Sequence, residues 1–508
     1  MNIPNFSEKL VQEAVRQLLE AYYEPQFRNS SHAFRSGRGC HTALATIHHR
    51  FVGTVWFIEG DIRGCFDAID QEKLLAILSK NIHDGRLMNL IRKTLKAGYL
   101  ENWKYYQTYS GTPQGSIISP ILTNIYLNEF DKYIEDTLIP CYTRGERRVP
   151  NSLYRQISDQ IHRARSKGHL EKVAALEQQC RQLPSQDPND PNYRRLKYIR
   201  YCDDFLLGFI GPKSEAQKIK QAISHFLHQE LHLELNQDKT LITHAKTSQA
   251  HFLGYAISTY QANHKISLRT GTKTKTRSIN GCIRLGLPYG LIDEQVKRYQ
   301  KNGKPIHEPV LLPNSDAHII NVYQQRFRGL AEYYKYAVDR GRLSKLKHVM
   351  EIALTKTLAN KFKTRVSQIY RKYATTRAVE NHTYKVLQVE ISTETTTRHI
   401  YWGAIPLKTI KPGTQPLNDR KYTPRIQGIH SDLIQRLQAN QCQLCGSNQQ
   451  CEVHHIRKLS NLKQRWRGRQ EKPEWVKVMI ARHRKTIVVC RQCHLKIHTG
   501  QPTPNQSS

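Results

Sequence analysis

The sequence is poor in acidic residues and has no long apolar run. Its 508 residues include 42 Asp and Glu against 78 Lys and Arg, which leaves a formal net charge of +36. An excess of this size predicts binding to a polyanion, with an affinity that falls as salt rises. No apolar run approaches the roughly 18 residues of a membrane-spanning helix, and no strongly amphipathic anchor occurs. Nucleic acid is therefore a better expected partner than a membrane.

The chain also lacks a charged-then-apolar leader and any internal repeat. The missing leader predicts a soluble protein of a reducing compartment. At about 100 to 200 residues per domain, the length predicts two or three domains rather than one.

Two adjacent aspartates, Asp203 and Asp204, lie between two β-prone runs. Residues 197–201 alternate basic with aromatic or branched side chains, and 205–210 are nearly all apolar, which predicts a β-hairpin with the aspartates at its turn. Paired carboxylates repel each other in a low dielectric unless a cation lies between them, and hard oxygen ligands favour Mg²⁺ or Mn²⁺. An isolated Asp-Asp pair, however, is more often a solvent-exposed turn.

A third aspartate changes this interpretation. Asp61 follows a predicted buried strand that starts near residue 55, so it can meet the Asp203–Asp204 pair on a neighbouring strand. Two divalent ions held by such carboxylates can activate a primer 3′-hydroxyl and stabilise the departing pyrophosphate. Phe66, five residues after Asp61, is then expected to face the incoming sugar.

The order of the motifs resembles that of a group II intron reverse transcriptase, and the resemblance extends from residue 3 to about residue 500. It rests on Tyr-Cys-Asp-Asp at 201–204, which differs from the family's usual Tyr-Ala-Asp-Asp only at Cys202. The other matching segments are residues 31–44, 60–70, 111–120, 233–240 and 251–255. Each segment alone is a weak signal, whereas the ordered set is specific.

The resemblance implies a right-hand polymerase palm. In such a palm Asp61, Asp203 and Asp204 are the catalytic metal ligands, and Phe66 is the gate that excludes a ribose 2′-hydroxyl. Gln114 and Gly115 then border the nucleotide pocket, and Lys239 lies near the leaving phosphate. Two residues also have a structural interpretation. Gln114 precedes a predicted helix over 116–139, and a lysine in a polar turn such as that of Lys239 is more often simply exposed.

The start of the chain departs from the family pattern, because residue 3 already falls inside the family's first block. The resemblance therefore predicts an N-terminally truncated protein with partial fingers, and polymerase activity that is in question. A mis-assigned start, a separate partner chain and a degenerate copy all stay open.

The expected fold class is multidomain, α/β plus α, with a palm and partial fingers, a helical thumb or maturase domain, and a small ββα-metal zinc-containing domain. A helix over about 7–23 is expected to pack one face on the core, formed by Leu10, Val11, Ala14, Val15, Leu18 and Leu19. A helix over about 214–230 is expected to start with a Ser214–Gln217 capping pattern. The predicted segments are 1–260 for palm and fingers, with an insertion at about 131–193; 261–314 for a connection; 315–375 for the maturase domain; 376–430 for a DNA-binding linker region; 431–502 for the zinc domain; and 503–508 for a disordered tail.

The segment 315–375 interleaves aromatic and basic residues. Its resemblance to the thumb or maturase domain implies contacts with intron RNA or the template-primer duplex. Phe327, Leu330 and Tyr334 fall on one helical stripe, which favours a role in the core. The basic residues on the other faces are the better candidates for RNA.

The C-terminal segment contains two Cys-x-x-Cys pairs, Cys442 with Cys445 and Cys490 with Cys493. Four thiolates with this spacing predict a structural Zn²⁺ site. The other cysteines are scattered singly and are expected to be ordinary buried thiols; they are Cys40, Cys65, Cys141, Cys180, Cys202, Cys282 and Cys451.

Histidines between and after these pairs resemble an HNH endonuclease. By match, His455 is the general base, and the divalent-ion ligands are His454, His494 and His498. The family's central asparagine position holds Lys485, so a ββα-metal fold is a firmer expectation than cleavage. The alternative is a zinc ribbon that binds DNA without cutting it. A Cys₄ site does not need the histidines, which favours the nuclease.

The expected function is that of a group II intron reverse transcriptase and maturase, which binds intron RNA to assist splicing, nicks target DNA and copies RNA into DNA from dNTPs. Mg²⁺, or Mn²⁺, would serve both catalytic sites, and Zn²⁺ would be structural. A homodimer is left open, and the expected location is the bacterial cytoplasm or nucleoid, or an organelle. Two alternatives remain: a non-catalytic RNA-binding maturase, and a zinc-dependent DNA-binding or nicking protein with a vestigial palm.

Overall fold

The computed structural model describes residues 5–101, 104–112, 115–263, 267–268, 275–276, 279–379, 382–392, 397–413, 441–455, 474–481 and 486–499. The chain forms two compact units. One contains Met1–Tyr289, Tyr336–Arg340 and Thr409–Arg420, and the other contains Gly290–Lys335, Gly341–Lys408 and Lys421–Ser508. Among the described residues, no helix combines the length and apolarity needed to cross a membrane. The predicted tail at 503–508 lies outside the described residues.

The first unit mixes helices and strands. Its helices are α1 Phe6–Tyr23, α2 Cys40–Arg50, α3 Cys65–Ala68, α4 Gln71–Ser79, α5 Gly85–Lys96, α6 Ser119–Tyr133, α7 Ile139–Cys141, α8 Ser152–Ser166, α9 Leu170–Gln182 and α10 Lys213–Leu231. Its strands are β1 Trp56–Asp61, β2 Tyr99–Glu101, β3 Lys104–Tyr106, β4 Arg195–Tyr201, β5 Asp204–Ile210, β6 Ile242–His244, β7 Ala250–Phe252, β8 Tyr255–Thr259, β9 Ser267–Leu268, β10 Lys275–Thr276 and β11 Ile283–Gly286.

The centre of this unit is a four-stranded sheet in the order β4-β5-β1-β6. All three strand pairs are antiparallel. The predicted hairpin is confirmed, because β4 and β5 pair from Arg195↔Ile210 to Tyr201↔Asp204. Apolar side chains of β1 and β5 join those of α6 and α10 in one core, which includes Ile58, Phe130, Leu207 and Ile223. Burial on this face fixes the strand register, since a one-residue slip would turn these side chains to the opposite face.

Local sequence signals explain the start of α1 but not that of α10. Asn5 and Glu8 form a capping box at the start of α1. The predicted cap of α10 is wrong: the helix begins at Lys213 after Pro212, and no side chain caps it. Pro212, Lys213 and Ser214 are exposed, so water can satisfy the free N–H groups of the first turn in place of a side chain.

The predicted apolar face of α1 is only partly correct. Val15 and Leu19 are buried, as expected, but Leu10 and Leu18 are 57% and 62% exposed, and Val11 and Ala14 are exposed as well. The apolar residues of α1 form a stripe wider than the contact with the core.

Two other predicted helical regions have more complex structures. The helix expected over 116–139 begins at Ser119 and passes through a π-helical turn, Ile134–Leu138, before α7 ends it at Cys141. The insertion folds as a hairpin of α8 and α9 around its own small core, formed by Ile161, Ala164, Val173, Leu176 and Cys180.

The second unit contains helices α11 Leu291–Lys297, α12 Asp316–Tyr333, α13 Leu343–Phe362 and α14 Val366–Tyr373, and strands β12 Gln300–Lys301, β13 Lys304–Pro305, β14 Ala374–Val379, β15 His382–Ser392 and β16 Thr397–Gly403. The predicted core role of Phe327 and Tyr334 is confirmed, because both are buried, whereas Leu330 is half-buried. The strands expected after residue 376 form an antiparallel sheet in the order β14-β15-β16.

The C-terminal residues of this unit have a core of their own. Strands β17 Cys451–His455 and β18 Thr486–Cys490 pair antiparallel, with α15 Glu474–Ala481 and α16 Arg491–Thr499 beside them. Trp475, Val476, Met479, Ile487 and Val489 form most of the apolar interior.

Candidate functional site

The three aspartates converge at one end of the central sheet. Asp61 is the last residue of β1 and Asp204 the first of β5, and the two face each other in the strand register. Asp203 precedes Asp204 in the two-residue turn that joins β4 to β5. Because these strands are neighbours, residues about 140 positions apart in the chain come together.

The turn that holds Asp203 has an unusual backbone. Cys202 adopts φ of 61°, in the left-handed region that non-glycine residues rarely occupy. Nη1 of Arg200 donates to the carbonyl of Cys202 at 2.9 Å. The Arg200 guanidinium is fully buried and forms an ion pair of 2.6 Å with Asp131, which also accepts from the hydroxyl of Tyr198 at 2.7 Å. A buried network therefore holds the strained turn in place.

The carboxylates carry negative charge that the protein only partly balances. Burial, together with the nearby charges of Asp203 and Asp61, raises the pKa of Asp204 to about 6. Such a shift reflects unfavourable crowding of negative charge, which a divalent cation relieves. The three side chains thus fit a site for hard metal ions.

The Asp61 carboxylate contacts two side chains of the polar turn that precedes β6. Nζ of Lys239 lies 3.2 Å from its Oδ2, and the amide of Asn236 donates to the same oxygen at 2.9 Å. The hydrogen bond and charge of Asp61 raise the pKa of the Lys239 ammonium. Sequence reasoning named Lys239 but assigned no role to Asn236, although both lie in the same polar turn of the 233–240 motif.

Phe66 lies on α3, close to the aspartates. It is half-buried, and its ring centroid lies 6.3 Å from that of Phe34. The N–H of Thr112 donates to the carbonyl of Phe66 at 2.7 Å. Gly111 has φ of +78°, and a Cβ there would lie 2.5 Å from the same carbonyl oxygen, so this close approach requires glycine.

The loop before α6 is tied to α1. Gly115 is exposed with φ of +88°, while Gln114 lies outside the described residues. Oε1 of Gln12 accepts from the hydroxyl of Ser116 at 2.9 Å and from the N–H of Ile117 at 3.0 Å. Gln12 is thus a positioning residue that sequence reasoning missed, because no local signal links α1 to this loop.

The four predicted zinc-ligand cysteines form a compact cluster. The sulfurs of Cys442, Cys445, Cys490 and Cys493 all lie within 4.8 Å of one another. Burial alone would raise the pKa of the Cys442 thiol, but nearby backbone N–H groups, including that of Cys490, outweigh it and lower the pKa to about 7. Four clustered sulfurs, one of them easily ionised, fit Zn²⁺.

The histidines form a second cluster. The nearest ring nitrogens of His454, His494 and His498 also lie within 4.8 Å of one another, and Nε2 of His494 is 3.3 Å from Nε2 of His498. Nδ1 of His494 lies 2.7 Å from Oε2 of Glu452. A carboxylate on Nδ1 leaves Nε2 free as a metal-binding lone pair. Sequence reasoning assigned no role to Glu452, although it lies only two residues before His454.

The predictions for His455, Lys485 and the single cysteines remain to be compared with the structure. The backbone of His455 pairs with Thr486 at the end of β17, and its side chain lies outside the described part of the structure, as does Lys485. Of the seven single cysteines, Cys65, Cys180 and Cys202 are buried as predicted, whereas Cys141 is exposed and Cys40, Cys282 and Cys451 are half-buried. Cys451 also pairs in register with Cys490 beside the four-cysteine cluster.

Three family models match the chain. They are described as reverse transcriptase (RNA-dependent DNA polymerase) over residues 1–257, type II intron maturase over 291–402, and AI2M/AI1M-like HNH endonuclease over 442–494. The three matches are collinear with the palm, the helical segment with its sheet, and the C-terminal clusters.

Several curated sequences are similar to this one over nearly the whole chain. Group II intron-encoded protein LtrA of Lactococcus lactis subsp. cremoris is 36% identical over 97% of this chain and 82% of its own length. An uncharacterized 91 kDa protein in the cob intron of Schizosaccharomyces pombe is 32% identical over 98% of this chain. A putative COX1/OXI3 intron 1 protein of Saccharomyces cerevisiae is 30% identical over 99% of this chain. The matches span 60% of each of these two proteins. Among solved structures, apo telomerase of Candida tropicalis aligns at 12% identity over 71% of this chain and 50% of that chain, with a low TM-score of 0.33.

Proposed function

Since this chain belongs to the group II intron-encoded reverse transcriptases, with a maturase region and an HNH region, we propose that it copies RNA into DNA at Asp61, Asp203 and Asp204. The observation that carries the proposal is the convergence of these carboxylates on adjoining strands, with the pKa of Asp204 raised to about 6 by burial and by its acidic neighbours. The three side chains would hold divalent metal. Such ions, when bound, supply activation of the primer hydroxyl and charge stabilisation at the leaving pyrophosphate.

The surrounding residues supply binding and positioning. Phe66, braced by the ring of Phe34, is placed to contact the sugar of the incoming nucleotide. The Lys239 ammonium balances the charge of Asp61 and is exposed enough to contact a triphosphate as well. Arg200 fixes the backbone that carries Asp203. These groups bind and orient the dNTP and the carboxylates, which are the tasks that phosphoryl transfer leaves to the protein.

The test of the polymerase is Mg²⁺-dependent extension of a DNA primer on an RNA template. Asp203→Ala should abolish extension, because it removes a metal ligand. Asp159→Ala, which removes an exposed carboxylate on α8, should leave extension unchanged. If the unaltered chain makes no DNA, the non-catalytic maturase becomes the better description.

The maturase and HNH regions extend the proposal to RNA binding and DNA cleavage. The net charge of +36 and the match of residues 291–402 to the maturase model support binding of intron RNA, which should weaken as salt rises. For cleavage, His454, His494 and His498 would hold one divalent ion on the scissile phosphate, and His455 would take a proton from water. Zn²⁺ at the four cysteines would be structural.

DNA cleavage has its own test. The intact chain should nick duplex DNA containing the intron insertion site, and His494→Ala should lose nicking but retain primer extension. No nicking by the intact chain would favour the alternative, a zinc-containing DNA-binding domain that does not cut. Nicking that survives in His494→Ala would show that the histidine cluster is not the site of cleavage. Formation of a homodimer stays a prediction.

A further inference from the structure

The three-stranded sheet of the second unit has two chemically different faces. On one face, Leu387 of β15 lies opposite Trp402 of β16, and both side chains are buried. The Trp402 ring lies 5.7 Å from that of Phe327 on α12. This face therefore packs against the helices. Because successive side chains of a strand alternate between faces, the neighbours of these residues point the other way.

The second face carries two tyrosines and an arginine. Arg377 of β14 lies opposite Tyr384 of β15, and Gln388 of β15 lies opposite Tyr401 of β16. All four side chains are partly exposed. The Arg377 guanidinium lies 4.2 Å from the centroid of the Tyr401 ring, so both side chains lie over the same side of the sheet. Val386, between Tyr384 and Gln388 on this face, is only 3% exposed.

Hydrogen-bonding groups and a further cation surround the two rings. Nε2 of Gln388 lies 3.1 Å from Nδ1 of His399. The same nitrogen lies 3.4 Å from Oε1 of Glu390, the residue of β15 that pairs with His399 in the strand register. The ammonium of Lys347 lies 6.0 Å from the centroid of the Tyr384 ring. Among the described residues of this face, Glu390 is the one carboxylate, and it is paired with His399.

We propose that this face, defined by Arg377, Tyr384, Gln388 and Tyr401, binds a single strand of nucleic acid. Partly exposed aromatic rings on a sheet offer stacking surfaces for bases, and basic side chains beside them attract the phosphates. A duplex buries the faces of its bases in its own stack, so this chemistry selects unpaired nucleotides. The polar rim supplies donors and acceptors for base edges. The proposal deepens the RNA- and DNA-binding role above and rests on it.

The first experiment measures binding of short fluorescent oligouridylate and oligothymidylate to the full chain by anisotropy. Tyr384→Leu and Tyr401→Leu should each weaken binding by roughly 5- to 100-fold, because each removes a stacking ring. Tyr401→Phe keeps the ring and should bind as the unaltered chain does, so the proposal can be judged even if a leucine variant folds poorly. Loss with both oligonucleotides indicates a platform open to either strand, and loss with the uridylate alone indicates RNA.

Charge gives a matched control. Arg377→Ala and Lys385→Ala each remove one cation from the same sheet, but Lys385 lies on the face opposite the two tyrosines. The slope of log affinity against log salt should fall by about 0.7 for Arg377→Ala. It should stay unchanged for Lys385→Ala.

Because the whole chain is basic, an oligonucleotide can also bind elsewhere on it. Photocrosslinking identifies which residues the bound oligonucleotide contacts. Oligonucleotides with a halogenated pyrimidine should crosslink to peptides containing Tyr384 or Tyr401. The proposal is overturned if both leucine variants bind as tightly as the unaltered chain, or if the crosslinks lie outside residues 374–403, in which case the face serves another partner, such as a protein. Asp203→Ala should retain this oligonucleotide binding while losing DNA synthesis. The proposal for the sheet face and the proposal for the polymerase site are therefore tested independently.

Discussion

Arg200 donates a hydrogen bond of 2.9 Å to the carbonyl of Cys202, the residue that precedes Asp203 and Asp204 between β4 and β5. The same guanidinium pairs with Asp131 and reaches the hydroxyl of Ser31 at 2.9 Å. Both partners of the ion pair are fully buried. One side chain thus links β4, α6 and the 31–44 motif to the backbone that positions Asp203.

Arg200→Met should unfold the first unit more easily. It leaves the Asp131 carboxylate buried without its cation, which costs about 3–5 kcal/mol when a buried pair is broken. Urea unfolding measures the difference. Arg165→Met, at the exposed pair with Glu177 on the insertion, should cost less than about 1 kcal/mol. Equal losses in the two variants would show that the buried pair has no special role.

The conformation of Cys202 predicts a difference between two small apolar substitutions. The left-handed φ of 61° is harder to adopt for a β-branched residue such as valine than for an unbranched one such as alanine. Cys202→Val should therefore lower the free energy of unfolding by about 1–3 kcal/mol and reduce primer extension. Cys202→Ala should be close to neutral in both measurements. If the alanine variant is as damaged as the valine variant, the loss comes from the thiol and not from backbone strain.

Much of this site could be predicted from local sequence. The alternation before Asp203 and the apolar run after it specified the hairpin, and the strand ending at Asp61 specified its neighbour. The Arg200–Asp131 pair could not be predicted in the same way, because its members are 69 residues apart and only the packing of α6 on the sheet brings them together. Arg200 alternates with apolar residues along β4, as an exposed arginine on the polar face of a strand also would. The sequence pattern therefore does not show that Arg200 is buried.

The same distinction holds at the C-terminus. The spacing of Cys442, Cys445, Cys490 and Cys493 specified their cluster, since only two residues separate the members of each pair. Cys451 was misjudged, because its position beside Cys490 depends on the register of β17 with β18. A single cysteine carries no signal of such a register.

The raised pKa of Asp204 predicts a pH dependence for metal use. Ordinary aspartate ionises near pH 3.9, and in the metal-free site Asp204 is half-ionised only at about pH 6. Protons therefore compete with Mg²⁺ increasingly as the pH falls through 6, and the Mg²⁺ concentration for half-maximal primer extension should rise. Mg²⁺ titrations about one pH unit above and below 6 measure this shift.

The same group affects stability with a defined sign. A carboxyl group whose folded-state pKa lies above the unfolded value favours folding while protonated, and this contribution is lost as the pH rises from about 4 through about 6. Without metal, Asp204→Asn should thus become more stable than the unaltered chain as the pH rises across that window. Thermal unfolding measures the difference, and Asp159→Asn should show none.

Zinc content separates the ligand cysteines from their neighbour. Cys490→Ser should lose Zn²⁺ and weaken the pairing of β17 with β18. A bound ion would connect Cys442 and Cys445 to Cys490 and Cys493, and these cysteines lie in or against the C-terminal core. Cys451→Ser should keep one ion per chain, although Cys451 lies directly opposite Cys490. Atomic emission on the purified proteins gives the stoichiometry. Equal zinc loss in the two variants would contradict the assignment of four ligands.

Glu452 is expected to orient His494 and not to bind metal itself. Its carboxylate lies 2.7 Å from Nδ1 of His494, and a proton held there keeps Nε2 available beside His498. Glu452→Gln retains the shape of the side chain and can still accept this hydrogen bond through its amide oxygen, but it removes the negative charge that strengthens the bond. DNA nicking should fall by about 10- to 100-fold, the usual effect of losing such a partner, and higher divalent-ion concentration should restore part of it. Zinc content and primer extension should not change. If nicking falls and high metal concentration does not restore it, Glu452 does not act by raising the affinity of the histidine cluster for a divalent ion.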